Sequence, residues 1–484
     1  MFKSIRLILL STIITLGLFM RLYQPLERFQ YNHDTDLSSW IVKDMLIDGH
    51  PRLIGQLTSS PGIFIGPYFY YSLIPFYLAS RMDPAGVMGF SLIISIAALF
   101  SVTWVFNKLW GYRVSIIGLL IYATSFNISQ TEREIVPTAP VFLWTVWFLY
   151  AAHGLWRGRK SSLLILATLG GLVWNIHLAL GLLFPLVFII WWKQRSKFTT
   201  SDFLLPILVF ITLSLPLFVF ETRHNFVQVR SFINSFSSRA QVTRSYTQKI
   251  AQVWLYSARN ANNIFWDKPG GVSIHLLPTI LLLGFVIHFS RRFFTPRLLF
   301  FISGWLGLTF VFFVLHPINL SEYYLNGLNI VWIAIAALSL ARLNHKIAWA
   351  IIAIFVIHNI YRLISSPVNR SGYVYRQTIV QAIRNDAIAR NFPCVAVSYI
   401  VTPGNDLGYR YLFWLAGQKL APPSSLAPVY TIVFPHSLVG RLDRTFGALG
   451  LIWPEYSRYT PQSIVESCSG ADSNLTDPMF GFTK

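Results

Sequence analysis

Eleven long apolar stretches recur between residues 5 and 361, and they constrain the fold more than any other feature of the chain. A helix needs about 20 mostly apolar residues to cross a bilayer core, and only helices or closed barrels satisfy their backbone hydrogen bonds there. Charged residues make up 12% of the chain, against about 25% in soluble domains. The predicted spans are Ile5–Met20, Ala85–Asn107, Val114–Ser129, Val136–Leu155, Ser161–Ile176, Leu178–Trp192, Phe203–Phe220, Val272–Phe289, Leu298–Leu315, Tyr324–Leu340 and Ile347–Tyr361. The sequence therefore predicts an all-α polytopic membrane protein.

Basic residues occupy alternate breaks between these stretches. Six breaks share the basic residues Lys3, Arg6, Lys108, Arg113, Arg157, Arg159, Lys160, Lys193, Arg195, Lys197, Arg291, Arg292, Arg297, Arg342 and Lys346. Among the breaks between them, 130–135 has one basic residue and 316–323 has none. Lys and Arg near the ends of spans remain in the cytoplasm. We therefore expect a multi-pass protein of the cell membrane with a cytoplasmic amino terminus and external loops at 21–84, 130–135, 221–271 and 316–323.

The apolar segment Gly66–Ser80 does not fit this alternation. It has 15 residues, contains four tyrosines and is interrupted by Pro75. If it crossed the membrane, five basic loops would lie outside. We therefore predict an interfacial or re-entrant helix, because tyrosine suits the headgroup region; the alternative is a kinked full span.

After a membrane module of residues 1–362, the tail 363–484 has the pattern of a small α/β domain. A helical stretch near Thr378–Arg390 precedes two strand-like runs, Cys394–Val401 and Val429–Phe434. The predicted orientation places this domain outside the cytoplasm. Its two cysteines, Cys394 and Cys468, are the only ones in the chain and form either a disulfide or two free thiols.

The net charge of +20 is distributed over loops on both faces of the membrane. Nucleic acid is therefore a poor partner for this chain. Anionic lipid headgroups or a phosphorylated lipid substrate fit the distribution better.

Asp34 and Asp36 follow the first span by about 14 residues, in the sequence NHDTDLSSW. An aspartate shielded from bulk water at a membrane surface can act as a general base. Alternatively, the two carboxylates bind one divalent cation, Mg²⁺ or Mn²⁺, through hard oxygen ligands, or they are simply solvated.

Further short motifs occur in the same external loops. They are SSPGIFIGPYFYY (59–71), TEREIVP with Glu132, Arg133 and Glu134, FETRHNF around Glu221, and EYY of Glu322–Tyr324. With Asp34 and Asp36 they resemble the GT-C class of membrane glycosyltransferases, and within it the family of protein O-mannosyltransferases (dolichyl-phosphate-mannose-protein mannosyltransferase-like) and aminoarabinose transferases. The resemblance covers roughly residues 1–362. It departs from the family at Asp34-Thr-Asp36, where many relatives have adjacent Asp and Glu, and it leaves the acid partner open between Glu132 and Glu134.

This resemblance implies a GT-C-like fold that transfers a sugar from a polyprenyl-phosphate donor to a protein, lipid or glycan acceptor outside the cytoplasm. The phosphate to which the sugar is linked leaves without protonation, so one carboxylate suffices to take the proton of the acceptor, with inversion. Asp34 is the expected base, and Asp36 is its helper or fellow metal ligand. Donor-binding candidates are Glu132, Arg133, Glu134, His177, Arg223, His224, Tyr323 and Tyr324.

Each candidate has a structural alternative. Arg133 could extend to the lipid headgroups, and Glu221 could form an ion pair with Arg223 or His224 that ends a helix. His177 could be a hydrogen-bonded structural histidine, and the two tyrosines could belong to the interfacial aromatic belt.

Other functions on a similar scaffold are a flippase or transporter for lipid-linked sugars, a glycan ligase or polymerase, and a non-catalytic relative. Transporters tend to carry polar residues near the membrane midplane. In this chain the acids cluster in the external loops, which favours an enzyme at the outer surface.

Overall fold

The structure is a computed structural model that describes residues 2–58, 60–237, 245–266, 274–290, 296–316, 320–402 and 408–470. Ser59 and the basic residues Arg239, Arg244, Lys268, Arg291 and Arg292 lie outside this part of the chain. Its α-helices are α1 Phe2–Leu22, α2 His33–Leu46, α3 Tyr68–Ala79, α4 Met88–Trp110, α5 Tyr112–Thr124, α6 Phe126–Thr131, α7 Val141–Trp156, α8 Ser161–Ile176, α9 Phe184–Gln194, α10 Leu204–Arg223, α11 Val227–Ser237, α12 Tyr246–Phe265, α13 Leu276–Ser290, α14 Pro296–Leu315, α15 Asn329–Leu340, α16 His345–Ser365, α17 Tyr373–Ala389, α18 Arg410–Leu415 and α19 Pro461–Ser467. The strands are β1 Ala396–Val401, β2 Val429–Phe434, β3 Arg444–Phe446 and β4 Leu449–Ile452.

The predicted spans coincide with α1, α4, α5, α7–α10 and α13–α16. Six helical segments of the described chain are long and apolar enough to cross a bilayer: Pro84–Trp110, Leu178–Lys197, Thr200–Arg223, Arg297–Leu315, Glu322–Leu340 and His345–Ser365. A helix that is apolar on all sides is either buried or lipid-facing, and both cases occur here. The α15 helix is buried along Ile330–Leu338 and packs on α5, whereas α10 exposes Leu204, Leu208 and Leu215.

The loops between the spans separate into two sets at opposite ends of the bundle. At one end basic loops meet, where Arg113 donates to Leu343 O at 3.0 Å and Lys160 pairs with Asp202 at 2.9 Å. At the other end, called the site end below, the carboxyl ends of α1, α8, α10 and α16 meet α2, the 130–135 loop and α12. The separation matches the predicted alternation of loops.

The tyrosine-rich segment does not cross the bundle. Its helix, α3, has 12 residues and is about 18 Å long, well short of a bilayer core of about 30 Å. Tyr68 N at its start donates to Asn175 Oδ1 at 3.1 Å, beside the carboxyl end of α8. Just after its end, Met82 O accepts from the Tyr411 hydroxyl of the C-terminal domain at 2.6 Å. Both ends of α3 therefore lie at the site end, as predicted for an interfacial helix.

The tail folds as the predicted α/β domain. Its sheet has the order β1-β2-β4-β3, with β1 parallel to β2 and the other neighbours antiparallel. The α17 helix and the strands β1 and β2 occupy the positions expected from the sequence. Cys394 and Cys468 form a disulfide, which joins the chain before β1 to the end of α19.

The domain packs on the first long loop through one shared hydrophobic core. This core contains Phe29, Tyr31, Leu37, Ile41 and Val42 from the loop and Tyr373, Ile379, Ile383, Tyr411 and Tyr430 from the domain. Tyr373 N also donates to Phe29 O at 3.3 Å. The domain therefore fixes the position of α2, which carries the paired aspartates.

The 221–271 loop contains two helices, α11 and α12, that were not predicted from the sequence. The α12 helix begins with a capping box between Ser245 and Gln248. One face of α12 is buried against the ends of α13, α14 and α15. Lys249 on that face donates a hydrogen bond to His316 O. The α12 helix thus lies across the site end of the bundle.

Candidate active site

The paired aspartates lie in the first turn of α2. Asn32 caps this helix, with its side chain accepting from Thr35 N at 3.1 Å. Carboxylates in a first turn interact favourably with the positive end of the helix dipole. Successive residues of a helix are about 100° apart, so Asp34 and Asp36 point in very different directions.

Asp36 faces the C-terminal domain and is buried. Its Oδ1 accepts from the Tyr31 hydroxyl at 2.9 Å and from Tyr411 N at 3.1 Å. Burial raises the pKa of Asp36, although these two hydrogen bonds act in the opposite direction. The carboxyl group thus joins α2 to the start of α18.

Asp34 is half-buried and faces the 55–66 segment. Its Oδ1 accepts a hydrogen bond of 3.2 Å from Gln56 Nε2. Within the described residues, this is the only hydrogen bond of the Asp34 carboxylate, and it makes no ion pair there. Oδ2 is therefore available to take a proton.

Glu134, in the 130–135 loop, is close enough to Asp34 for the charge of that carboxylate to act on it. Burial, together with the charge of Asp34, raises the pKa of Glu134 to about 7. Among the described residues its side chain has neither a hydrogen-bond partner nor an ion-pair partner. The Glu134 carboxyl group can therefore take up or release a proton near neutral pH.

Glu132 is held inside the scaffold. Its Oε2 pairs with Arg21 Nε at 2.6 Å and accepts from Ser95 Oγ at 2.9 Å, while Oε1 accepts from the Tyr122 hydroxyl. These contacts join α1, α4 and α5. Of the two glutamates that the sequence left open as acid partner, Glu132 is thus engaged within the scaffold, while Glu134 has no side-chain partner among the described residues.

Arg133 contacts the carboxyl end of α1. Its Nη1 donates to Tyr23 O at 3.0 Å and its Nη2 to Met20 O at 2.8 Å. Burial lowers the pKa of Arg133 to about 10, with further lowering from the charges of Arg28 and Arg21. Both terminal nitrogens are thus engaged with backbone carbonyls. The Arg133 side chain is buried against α1 and does not extend towards the lipid headgroups.

His177, Tyr323 and Tyr324 come together at the site end, where α8 ends and just before α15 begins. The ring of His177 lies 5.9 Å from that of Tyr323 and 5.5 Å from that of Tyr324. Burial lowers the pKa of His177 to about 4, so the imidazole is neutral at physiological pH. The cluster can therefore contact a sugar through rings and neutral polar groups, but the imidazole brings no charge to a phosphate.

A hairpin, whose described arms are residues 55–58 and 60–66 and which is called the 55–66 hairpin below, connects the two clusters. Ile65 N donates to Gln56 O at 3.0 Å, and the next residue, Gly66, donates to Trp174 O at 2.7 Å. A Cβ on Gly66 would lie 2.2 Å from Asn175 Oδ1, so any other residue here would displace the Asn175 side chain. Asp34 and the α8 end that carries His177 are thus held by one short element.

The Glu221 motif lies at the corner between α10 and α11. The buried Glu221 carboxylate accepts from Gln228 N and Val229 N, each at 3.3 Å, and so caps α11. His224 stacks on Phe220 at 4.1 Å between ring centroids, with Nδ1 2.9 Å from Phe220 O. Arg223 is exposed and forms no ion pair within the described residues. The Glu221 carboxylate therefore caps α11 and does not form the ion pair with Arg223 or His224 that the sequence suggested.

A divalent cation between Asp34 and Asp36 would need both carboxylates to converge. They point in different directions, and one Asp36 oxygen already accepts two hydrogen bonds. The described residues contain no group of three or more His, Cys, Asp or Glu side chains arranged to hold a metal. These donors do not fit such an ion, and we derive no step through a metal.

Comparisons with known proteins give a result for structure alone. No family model and no curated protein matches the chain. The crystal structure of ArnT from Cupriavidus metallidurans bound to undecaprenyl phosphate aligns over 93% of this chain and 99% of its own, with a TM-score of 0.58 and 10% sequence identity. The apo form of the same protein aligns over the same shares, with a TM-score of 0.56 and 11% identity. The chain has the ArnT fold.

This likeness confirms the architecture expected from the sequence, a GT-C-like membrane module with a C-terminal α/β domain. ArnT is built from the same arrangement over nearly its whole length, despite the low identity. A shared fold does not by itself assign a reaction. The function therefore has to be inferred from the residues around Asp34.

Proposed function

We propose that this protein is a membrane glycosyltransferase that moves a sugar from a polyprenyl-phosphate donor to an acceptor outside the cytoplasm, with inversion. Asp34 is the general base. The observation that carries the proposal is the position of its carboxylate, which is oriented through Oδ1 and leaves Oδ2 without a partner in the described chain. A solved structure with the same fold, ArnT, holds undecaprenyl phosphate.

The chemistry needs one base and one site for a departing phosphate. Asp34 takes the proton from the acceptor group, whose oxygen or nitrogen then forms a bond to the anomeric carbon. The bond from that carbon to the phosphate oxygen breaks, and the polyprenyl phosphate leaves with the electron pair. A phosphate needs no proton to leave at neutral pH, unlike the sugar oxygen in glycoside hydrolysis, for which a second carboxyl group acts as the acid. A single displacement inverts the anomeric centre.

The remaining candidates supply binding in this proposal. Positive charge must meet the phosphate as it departs, and Arg223 is the predicted cation whose guanidinium has no ion-pair partner in the described chain. His224 lies next to it, while Arg133 shapes the site through α1. His177, Tyr323 and Tyr324 contact the sugar or the first part of the lipid. Glu134, with a pKa near 7, is a second carboxyl group that can take up a proton at neutral pH.

A matched pair of substitutions tests the base. Both Asp34→Asn and Asp36→Asn exchange a carboxylate for an amide in the same helical turn, and the new amide oxygen at position 36 can still accept from Tyr31 and Tyr411. We expect Asp34→Asn to lower the rate of transfer by about 100-fold or more, a usual contribution of a general base. Asp36→Asn should retain activity within about tenfold. Full activity in Asp34→Asn would remove Asp34 as the base.

The reaction itself is tested with membranes that contain the protein. They are supplied with a panel of labelled undecaprenyl-phosphate sugars, including hexoses and aminopentoses, and the labelled product is isolated. We expect label on a protein, lipid or glycan acceptor with the inverted anomeric configuration. A ligase or polymerase would differ in its acceptor alone. A flippase would move the labelled donor across the bilayer without forming a product, and its activity would survive Asp34→Asn.

A further inference from the structure

Gln56 is the side chain that holds the carboxylate of Asp34, although the two residues are 22 positions apart. It lies at the start of the 55–66 hairpin, in a stretch without any residue predicted to be functional. Its amide lies between the Asp34 carboxylate and the Tyr70 hydroxyl of α3. Nε2 is 3.2 Å from Asp34 Oδ1, and Oε1 is 3.1 Å from the Tyr70 oxygen.

The hydrogen-bond pattern sets the orientation of this amide. The Tyr70 oxygen accepts from Gln56 N at 3.0 Å, so its single proton is directed to Gln56 Oε1. Nε2 must then face Asp34, where it can only donate. An ionised carboxylate can only accept. The arrangement is therefore complementary to Asp34 in the form that a base requires.

The surroundings of Tyr70 keep the arrangement rigid. The Tyr70 side chain is fully buried. Its ring lies so close to the hairpin that a Cβ on Gly55 would be 2.1 Å from it. Phe64, on the opposite arm of the hairpin, donates its N–H to Gln228 Oε1 at 2.7 Å. The hairpin is thus fixed on both sides, and Gln56 has little freedom to move.

We infer that Gln56 is a positioning residue for this reaction: its amide, oriented by Tyr70, holds Asp34 so that Oδ2 meets the acceptor group. This inference rests on the proposed function and adds a role for the hairpin. A displacement of about 1 Å at a catalytic group can reduce a rate by about 100-fold. Gln56 should therefore act on turnover rather than on donor binding.

The chain contains a matched control for Tyr70. Tyr71 is the next residue, and its hydroxyl also makes two hydrogen bonds, accepting from Arg52 N at 2.9 Å and donating to Arg52 O at 3.1 Å. Neither of these bonds connects Tyr71 to Asp34. Tyr70→Phe and Tyr71→Phe thus remove the same atom and the same kind of bond, with and without the connection to the base.

The experiment measures kcat and the KM for the donor with the labelled undecaprenyl-phosphate sugar that the wild type uses. We expect Gln56→Ala and Gln56→Met, which has a similar shape and no donor, to lower kcat by about 10- to 100-fold with KM changed less than about twofold. Tyr70→Phe should lower kcat by about fivefold, the effect of one neutral hydrogen bond. Tyr71→Phe should match the wild type. Both Gln56 variants leave the buried Tyr70 hydroxyl without its acceptor, so their thermal stability is measured alongside and kcat is expressed per folded protein.

The outcomes separate the two proposals. If Asp34→Asn is inactive while Gln56→Ala and Gln56→Met retain wild-type kcat, the inference on Gln56 is wrong and the base stands. If Gln56→Met is as active as the wild type and Gln56→Ala is not, shape and not donation matters, and the inference is also wrong. If the wild type transfers none of the labelled sugars, or Asp34→Asn is fully active, the proposed function fails and the role of Gln56 fails with it.

Discussion

Glu132 and Glu134 are two residues apart and have opposite electrostatic environments. Glu132 is surrounded by the guanidinium of Arg21 and two hydroxyl groups, which stabilise its negative charge. Glu134 is buried without a cation, beside the negative charge of Asp34. The same type of side chain is thus a structural anion at one position and a titrating group near neutral pH at the other.

The pKa of Glu134 predicts a pH dependence of stability. Burial raises this pKa from 4.5 in the unfolded chain to about 7 in the folded protein. The folded state therefore gains stability from Glu134 that is fully present below about pH 4.5 and is lost as the pH rises through 7. The loss is at most about 3 kcal/mol at high pH. We expect Glu134→Gln to remove it, so that the melting temperature of the variant exceeds that of the wild type at pH 8 but not at pH 5.

Glu132→Gln is the control for this measurement. It removes the buried partner of Arg21 and leaves an unpaired buried charge, a strongly destabilising change. Its melting temperature in detergent should fall at pH 5 and pH 8 alike. The melting temperature could also change equally between pH 5 and pH 8 in the wild type and in Glu134→Gln. That result would show that the Glu134 carboxyl group is ionised at both pH values and would contradict the prediction.

At the scale of elements, the corner between α10 and α11 depends on Glu221. Loss of a helix cap costs about 1 kcal/mol, which corresponds to roughly fivefold faster hydrogen exchange in the first turn. We expect Glu221→Ala to cause this increase in α11, measured by mass spectrometry. Glu322→Ala removes an exposed ion pair with Arg259, which contributes little, and should leave exchange in α12 unchanged. Equal exchange in α11 with and without the Glu221 carboxylate would contradict the cap.

Most of the secondary-structure elements could be predicted from the sequence. The spans, the non-crossing α3 and the α/β tail could be predicted, because the bilayer and the period of the strands impose patterns that each segment carries alone. The α12 helix was missed, although its capping box at Ser245 and the recurring apolar residues Ile250, Val253 and Trp254 were in the sequence. Because the 221–271 loop contains seven basic residues, its charge is more conspicuous than the helical spacing of its apolar residues.

The site was less predictable than the fold. The place of Asp34 after the first span points to it as the proposed base, and the resemblance adds Glu132 and Glu134 as candidates. Choosing between the two glutamates required the contacts of Arg21 and Tyr122, which come from other helices. Gln56 had no signal at all, because its role arises from a hairpin that folds back on α2. Pairings between distant loop residues leave no periodic pattern in a sequence.

At the scale of the whole molecule, the C-terminal domain and the first long loop pack together through one core. They share a hydrophobic core, and polar contacts such as the bond from the Tyr373 hydroxyl to Asp83 Oδ1, at 2.7 Å, join them across it. Since α2 lies between the membrane helices and this domain, the position of Asp34 depends on both. Removing a contact at this boundary should therefore loosen α2 itself, and not just the domain.

A pair of tyrosine substitutions tests this coupling. Tyr373→Phe removes the bond to Asp83 across the boundary, whereas Tyr456→Phe removes a similar bond of 2.8 Å to Asp386 inside the domain. Each loss should cost about 1 kcal/mol. We expect faster hydrogen exchange in α2 for Tyr373→Phe alone, with a matching fall in transfer activity, because the boundary contact restrains the helix that carries the base. If α2 exchanges at the wild-type rate in both variants, the domain covers the site without positioning it, and Asp34 is held by the hairpin and the membrane helices.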